Sequence, residues 1–301
     1  MNFSRKELDT VTLAITPEIA HEMLGHNIKN NRNLKAGWVK ALADNMERGT
    51  FMLTSQGIAF DKDGNLIDGQ HRLHAVIKSG CTVPMRVTFG CDSRTVGVID
   101  AGSKRTAKDV AKMYHGDTPY LHHSQVIGAF SSILRQRNST LAKSLTPNDL
   151  SDLTAVNANS ARMLYGSTIT RKMTYATVDM RGALLEATML TGDAQAMFDF
   201  RNVYELNEIN TTRDYCNQVV FALKQRLTDS KIKRVRINSH MLYNLTQNAF
   251  YAFINNKGRV LLKNTSEDRY IANVQKLMCG TYDSIFANLE VTANGIIRKN
   301  E

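Results

Sequence analysis

The stretch that decides the fold runs from Gly57 to Arg72 and reads GIAFDKDGNLIDGQHR. An apolar run over 57–60 is followed by a polar turn over 61–64 and by a second short run over 65–67, Asn-Leu-Ile. Two such runs joined by a short turn rich in Asp and Gly are typical of a β-hairpin. The residues that follow favour a helix over 70–79. The sequence therefore predicts a hairpin that leads directly into a helix.

The junction of hairpin and helix, Asp68-Gly69-Gln70-His71-Arg72, is the candidate functional site. The first N–H groups of a helix lack internal partners and favour an anion. Gly69 would let the backbone approach a phosphate, while His71 and Arg72 would donate to its oxygens. Asp68 is placed to bind a metal ion or accept a proton. The residues alone leave a second interpretation open, in which Asp68 caps the helix, Gly69 makes the turn and Arg72 pairs with a surface carboxylate.

The pattern of elements changes along the chain. Before residue 116, strands are predicted at 10–15, 83–89 and 95–99, and further helices at 16–25, 35–48 and 106–114. After residue 120, strand signals nearly vanish, and helices are predicted near 122–136, 147–164, 174–190, 193–206, 212–228, 239–254 and 266–278. The sequence thus predicts an α+β domain over 1–116 and an all-α domain over 117–301, with the boundary in the turn-rich stretch near Gly116.

The stretch from Gly57 to Phe89 resembles the ParB/sulfiredoxin superfamily, and more narrowly its DGQHR-type phage and bacterial members. The residues that carry the resemblance are Ile58–Asp61, Gly64, Leu66–Leu73, Ala75, Gly80 and Pro84. Supporting similarities are Asn31-Arg32, Met46–Gly49 and Ile99–Ala107.

This resemblance implies a mixed sheet in the first domain and a turn that holds the phosphates of ATP or CTP through Gly69, Gln70, His71 and Arg72. Members of the superfamily include nucleotide-gated DNA partition proteins, sulfinic-acid reductases, serine kinases and proteins proposed to phosphorylate modified bases in phage DNA. The chain lacks the cysteine that sulfiredoxin uses in this turn, and Gln70-His71 replaces the charged pair typical of partition proteins. Both of those functions are weakened accordingly.

A second loop, Asp100–Thr106, offers further candidates. If it faces the same phosphates, Lys104 or Arg105 would neutralise their charge and Asp100 would act as a base. The equally weighted alternative is a turn whose aspartate caps the helix near Thr106.

The formal net charge of +10 favours a polyanionic partner, nucleic acid or nucleotide, over an ordinary solvated basic surface. The densest basic run contains Lys231, Lys233, Arg234 and Arg236. Such a run suits DNA phosphates, although an exposed loop would have the same composition.

These features predict a phosphotransferase that moves the γ-phosphate of ATP to a hydroxymethylated pyrimidine in phage DNA. Asp68, His71 and Arg72 would hold Mg²⁺ and the phosphates, Asp100 or Asp68 would deprotonate the acceptor, and the helical domain would hold the duplex. The alternative is a nucleotide-gated DNA-binding protein without phosphoryl transfer. A nuclease ranks last, because clustered carboxylates for two metals are lacking in the sequence.

The cellular location is predicted from what the chain lacks. The four cysteines form no C-x-x-C pair, and neither a signal peptide nor a membrane span is recognisable. We expect a soluble protein with free thiols and no membrane partner, located in the cytoplasm, which would be the host's if the protein is phage-encoded.

Overall fold

The computed structural model describes residues 3–28, 33–97, 105–169, 177–209, 213–257, 270–292 and 295–298. The chain divides into two compact units, Met1–Lys104 with Lys143–Leu145 and Arg105–Ala142 with Thr146–Glu301. The division after Lys104 falls earlier than the boundary predicted near Gly116, because the helix over 107–114 packs on the helix over 147–156.

The first unit is built on a mixed sheet. Its described strands are β1 (Asp9–Ile15), β2 (Ile58–Asp61), β3 (Leu66–Asp68) and β4 (Val83–Cys91). They lie in the order β1-β4-β2-β3, in which β4 pairs antiparallel with β1 and parallel with β2, and β2 pairs antiparallel with β3. The predicted hairpin and the expected mixed sheet are both confirmed.

Helices cover this sheet, and their described members are α1 (Pro17–Leu24), α2 (Ala36–Glu47) and α3 (Gln70–Ser79). The start of α1 is fixed by Thr16, whose hydroxyl accepts a hydrogen bond from the amide of Ile19 at 3.3 Å. The buried rings of Phe3, Phe60 and Phe89 stack in series, with centroids 4.8 and 5.5 Å apart. Burying such side chains contributes roughly 1.5–3 kcal/mol each, so this stack helps to anchor β2 in the core.

The turn of the hairpin is fixed by the buried side chain of Asp61. Its Oδ1 accepts hydrogen bonds from the amides of Asp63, at 3.0 Å, and Asn65, at 2.8 Å. A side chain that bonds backbone amides a few residues ahead replaces the hydrogen bonds of a regular turn. The turn therefore sets the position at which β3 delivers Asp68 to the start of α3.

The strand predicted at 95–99 is wrong over its described part, because Ser93–Gly97 forms a 3-10 helix. The carboxylate of Asp92 accepts a hydrogen bond from the amide of Arg94 at 2.9 Å, and its carbonyl accepts one from the amide of Thr95 at 2.9 Å. These local bonds close the chain into a tight turn before it can extend.

The second unit is mainly helical. Its described helices, together with α6, whose last two residues are assigned to the first unit, are α4 (Ala107–Tyr114), α5 (Ser124–Arg137), α6 (Ser139–Ser144), α7 (Pro147–Val156), α8 (Ala158–Leu164), α9 (Val178–Thr191), α10 (Ala194–Leu206), α11 (Asn217–Ile232), α12 (Ser239–Ile254) and α13 (Val274–Met278). Two strands follow, β5 (Leu289–Thr292) and β6 (Gly295–Arg298), which pair antiparallel. Within the described ranges, no helix combines the length and apolar character that a membrane span requires.

Four predictions for this unit need correction. The β5–β6 hairpin contradicts an all-α domain, and its four-residue strands are too short to give a periodic signal. The helix predicted at 147–164 is divided at the buried Asn157, whose amide donates to the carbonyls of Leu153 and Leu277 at 2.8 and 2.9 Å. The helix predicted at 212–228 begins only at Asn217 and continues to Ile232. Of the helix predicted at 266–278, the described part is helical only over Val274–Met278.

A buried carboxylate lies at the centre of the second unit, where α9 packs against α5 and α12. Glu186 accepts two hydrogen bonds from Arg137 and one from the hydroxyl of Tyr243, each at 2.7 Å. Gln247 and the amide of Ala272 donate to the same carboxylate at 2.7 and 2.9 Å. Burial, followed by the charge of Glu186, raises the pKa of Tyr243 well above its ordinary value. These bonds satisfy the carboxylate, so we regard the network as structural.

Candidate functional site

The candidate site begins at Gly69, between β3 and α3. Its backbone has φ of +102° and ψ of −1°, a left-handed conformation that residues with a β-carbon avoid. A β-carbon here would lie 3.0 Å from Cγ1 and 3.1 Å from Cα of Ile58. Close packing against β2 is therefore one reason for glycine at this position, in addition to the phosphate approach that the sequence suggested.

Asp68 lies at the end of β3, and its side chain is 17% exposed. Its Oδ1 accepts a hydrogen bond from the amide of Gly69 at 2.6 Å. Its Oδ2 lies 3.7 Å from Nη1 of Arg72, which is an ion-pair distance but too long for a hydrogen bond. One oxygen of Asp68 is thus bound to the backbone at the start of the helix, and the other retains acceptor capacity.

Arg72 is held by the segment that precedes β2. Its Nη1 donates to the carbonyl of Gly57 at 2.9 Å, and its Nη2 donates to Oε1 of Gln56 at 3.4 Å. The side chain is 20% exposed, and a guanidinium has five N–H groups, of which these bonds use two. The surface carboxylate expected under the alternative interpretation is Asp68 itself, four residues earlier. Arg72 therefore connects α3 to the hairpin and retains donors for a ligand.

His71 and Gln70 are buried, with 5% and 4% of their surfaces exposed. Nε2 of His71 accepts a hydrogen bond from the amide of Lys35 at 3.1 Å, so this nitrogen carries no proton in the structure. Oε1 of Gln70 accepts a hydrogen bond from the side chain of Asn27 at 3.3 Å. His71 was expected to donate to a phosphate, whereas its Nε2 serves as an acceptor.

This hydrogen bond brings two helix starts together. Lys35 is the residue that caps α2, and no side-chain hydrogen bond from Lys35 itself completes the cap. His71, in the first turn of α3, instead accepts from the backbone amide of Lys35 itself. In α3, the amide of Leu73 makes the first helical bond, to the carbonyl of Gly69 at 3.0 Å. The amides of residues 70–72 precede that bond, so the positive ends of α2 and α3 converge near His71.

The loop expected to face the same phosphates is only partly described. Asp100 and Lys104 lie outside the described residues, and Arg105 is an exposed residue assigned to the second unit. The cap of α4 is formed by Thr106 and Asp109, since each binds the other's backbone amide. Asp100 is therefore not needed as the capping residue that the alternative interpretation proposed.

A metal site cannot be assembled from protein groups alone in the described ranges, where no three His, Cys, Asp or Glu side chains are grouped together. Within the described part of the chain, Asp68 would accordingly be the single carboxylate ligand. That is compatible with Mg²⁺, which keeps several waters and often binds one or two carboxylates together with the phosphates of a substrate. Burial lowers the pKa of His74, which favours its neutral form at neutral pH.

The predicted DNA-binding residues lie at the end of α11 and in the connection to α12. Lys231, Lys233, Arg234 and Arg236 are all exposed. A cavity of about 470 Å³ lies beside them, lined by all of these except Lys233 and additionally by Lys224. This cavity was not predicted from the sequence, although residues 224, 227 and 231 recur at the spacing of one helix face.

Comparisons of this chain with protein families, with curated proteins and with solved structures find no match. The resemblance to the ParB/sulfiredoxin superfamily therefore stays a prediction, and the function has to be argued from the residues themselves.

Proposed function

We propose that the protein is a phosphotransferase that moves the γ-phosphate of ATP to a hydroxyl group of DNA, on a hydroxymethylated pyrimidine base. The first unit would bind the nucleotide at the start of α3, and the second unit would bind DNA. The reaction would take place in the cytoplasm, that of the host if the protein is phage-encoded.

The observation that carries the proposal is the convergence of α2 and α3 at His71. Helix starts carry partial positive charge from their aligned peptide dipoles, and this charge is suited to phosphate oxygens. Phosphoryl transfer depends mainly on positioning and on neutralising charge, so few protein groups are needed. Because Gln70 and His71 are buried, the partly exposed side chains of Asp68 and Arg72 provide the part of this site that a ligand can reach.

The residues at the site fit a nucleotide with Mg²⁺. Arg72 is permanently charged and has N–H groups beyond those bound to Gly57 and Gln56. Asp68 has an oxygen without a close hydrogen bond, which would hold Mg²⁺. When bound, Mg²⁺ would neutralise charge on the phosphates and relieve their repulsion from Asp68.

In the proposed reaction, the bond between the γ-phosphorus and the oxygen that bridges it to the β-phosphorus breaks. A bond forms between the γ-phosphorus and the hydroxyl oxygen of the base, which gives ADP and a phosphomonoester. The proton of the hydroxyl passes to a carboxylate, for which Asp68 and Asp100 are the candidates.

The test is incubation of the full chain with γ-labelled ATP, Mg²⁺ and DNA that contains either ordinary or hydroxymethylated pyrimidines. Label in the hydroxymethylated DNA alone supports the proposal. Arg72→Lys should reduce the labelling rate, because lysine keeps the charge and loses the planar fork. The matched control is Arg86→Lys, at an exposed arginine of β4. Absence of label from both DNAs, with the protein folded, would contradict the proposal.

One observation favours a second candidate, a nucleotide-gated DNA-binding protein without phosphoryl transfer. Oδ1 of Asp68 is bound to the amide of Gly69, and Oδ2 faces Arg72, so both oxygens of this carboxylate already have neighbours and neither is free to face an acceptor hydroxyl. This candidate predicts that ATP or CTP changes the amount of DNA that the protein retains, while no label is transferred to the DNA.

A further inference from the structure

The cavity beside α11 has the size and charge of a ligand site. Its volume of about 470 Å³ lies within the range of small-molecule sites, roughly 300–1,000 Å³. Its cationic lining residues are Lys224, Lys231, Arg234 and Arg236, and none of the described residues that line it is acidic. Like charges around one cavity repel each other, so an anion bound there would be stabilised by all four.

Arg234 occupies a backbone position that usually belongs to glycine. Its φ is +53°, in the left-handed region. The amide of Arg234 donates to the carbonyl of Lys231 at 3.2 Å, and the amide of Val235 donates to the carbonyl of Ser230 at 2.9 Å. This pair of bonds defines the Schellman motif that ends many helices, in which glycine is the preferred left-handed residue.

An arginine at this position costs backbone energy that glycine would avoid. The other described residues with positive φ that are not glycine are Asn207 and Asn256, and asparagine tolerates this conformation better than arginine does. Strained positions of this kind cluster at ligand sites. The strained backbone of Arg234 is therefore consistent with a ligand-binding role for its side chain.

The guanidinium groups of Arg234 and Arg236 are available for a ligand. Throughout the described ranges, no ion pair or side-chain hydrogen bond engages either of them. Lys224, in contrast, donates to Oδ1 of Asn207 at 2.9 Å and lies 5.8 Å from the centre of the Tyr204 ring. The two arginines can each present two parallel N–H groups to a phosphate.

The remaining lining suits a ligand that is more than a bare anion. Leu227, Val235, Ile237 and Leu242 provide an apolar wall, and Thr228 and Ser230 add hydroxyl groups. A phosphate ion gains nothing from apolar contacts, whereas the flat face of a nucleobase does. We propose that this cavity binds one nucleotide unit, with its phosphate on Arg234 and Arg236 and its base against the apolar wall.

The nucleotide could be a free mononucleotide or a residue within single-stranded DNA, and both have this chemistry. The inference goes beyond the phosphotransferase proposal and does not depend on it, because it concerns a binding step alone, at residues apart from the α3 site. It also differs from a flat electrostatic surface for DNA, which would use every lysine and arginine of the run in the same way.

The test uses the full chain and three probes: thymidine monophosphate, inorganic phosphate and a short single-stranded oligothymidylate. Their dissociation constants are measured by calorimetry for the parent protein, for Arg234→Gly and for Lys233→Ala. Lys233 is the matched control, since it belongs to the same run and carries the same charge but does not line the cavity. Arg236→Ala gives an independent second variant, and the thermal midpoint of each variant is recorded.

We expect Arg234→Gly to weaken nucleotide binding by roughly tenfold to a hundredfold, the effect of losing one charged hydrogen-bonding group. Its thermal midpoint should be unchanged or higher, because glycine suits the turn. Lys233→Ala should change the dissociation constant of thymidine monophosphate, which needs only the cavity, by about twofold or less. Loss of monophosphate binding would identify a free nucleotide as the ligand, and loss confined to the oligonucleotide would identify a residue of a strand.

Two results would overturn the inference. One is equal weakening by Arg234→Gly and Lys233→Ala, which would indicate a surface attraction without a site. The other is binding of inorganic phosphate as tight as that of the monophosphate, which would show that the apolar wall contacts no base.

Discussion

Replacement of Gly69 by alanine measures how tightly the candidate site is packed against β2. The left-handed backbone conformation costs a residue with a β-carbon roughly 1–2 kcal/mol. The new methyl group would also lie about 3.0 Å from Cγ1 and 3.1 Å from Cα of Ile58, and such overpacking costs roughly 1–3 kcal/mol more. We therefore expect a total loss of roughly 2–5 kcal/mol in the free energy of unfolding of the first unit.

Gly80, at the other end of α3, provides the matched control. It also has a positive φ, of +67°, but a β-carbon there would have no neighbour within 4 Å. Gly80→Ala should cost the backbone energy alone, roughly 1–2 kcal/mol. The difference between the two variants thus isolates the contact with Ile58.

The chain's single tryptophan, Trp38, lies in α2 and makes the assay specific to the first unit. Its fluorescence is followed through urea unfolding. A slope of roughly 1–3 kcal/mol per M converts the larger loss in the free energy of unfolding of Gly69→Ala into a lower urea midpoint than that of Gly80→Ala. Equal midpoints for Gly69→Ala and Gly80→Ala would refute the reasoning, since they would mean that the space beside Gly69 is open.

Two further predictions concern the second unit. Glu186→Gln should destabilise it by roughly 3–5 kcal/mol, because Arg137 would stay buried without its counter-charge. The control, Asp193→Asn at an exposed ion pair, should cost about 1 kcal/mol or less. Urea unfolding followed by far-UV circular dichroism compares the two variants. Burial, and then the charge of Arg181, lowers the pKa of His123 in the folded protein. Between that value and the unfolded pKa of about 6.5, the unfolded chain binds more protons, so stability should fall as the pH decreases through this window. His123→Asn keeps a capping group but does not titrate, and its urea midpoint should fall less than that of the parent protein over the same window; parallel pH profiles would contradict this prediction.

The sequence predicted the part of the fold that depends on local signals. The hairpin and α3 follow from the Asp61 turn and from glycines at 69 and 80, because these residue types favour the turn and left-handed backbone conformations found there. The β5–β6 hairpin was missed because short strands carry little periodicity. The division between α7 and α8 at Asn157 was not predicted, because the buried side-chain amide of Asn157 bonds to Leu277, which is distant in sequence.

The candidate site was predicted in position but not in detail, for a related reason. Arg72 bonds to the carbonyl of Gly57, and His71 bonds to the amide of Lys35. Every residue has such backbone groups, so the residue types give no sign that these bonds form. The basic run was recognised from its composition, whereas the left-handed backbone of Arg234 and the cavity beside it required the structure.

The central claim is that nucleotide phosphates bind at the start of α3. The most direct measurement is an amide NMR titration of the full, isotopically labelled chain with ATP or CTP in the presence of Mg²⁺. The claim predicts saturable shifts of the amides of Gln70, His71 and Arg72, with the nucleotide that shifts them at the lower concentration identified as the preferred ligand. Saturable shifts that leave these three amides unchanged, or no shifts with either nucleotide at millimolar concentration, would contradict it.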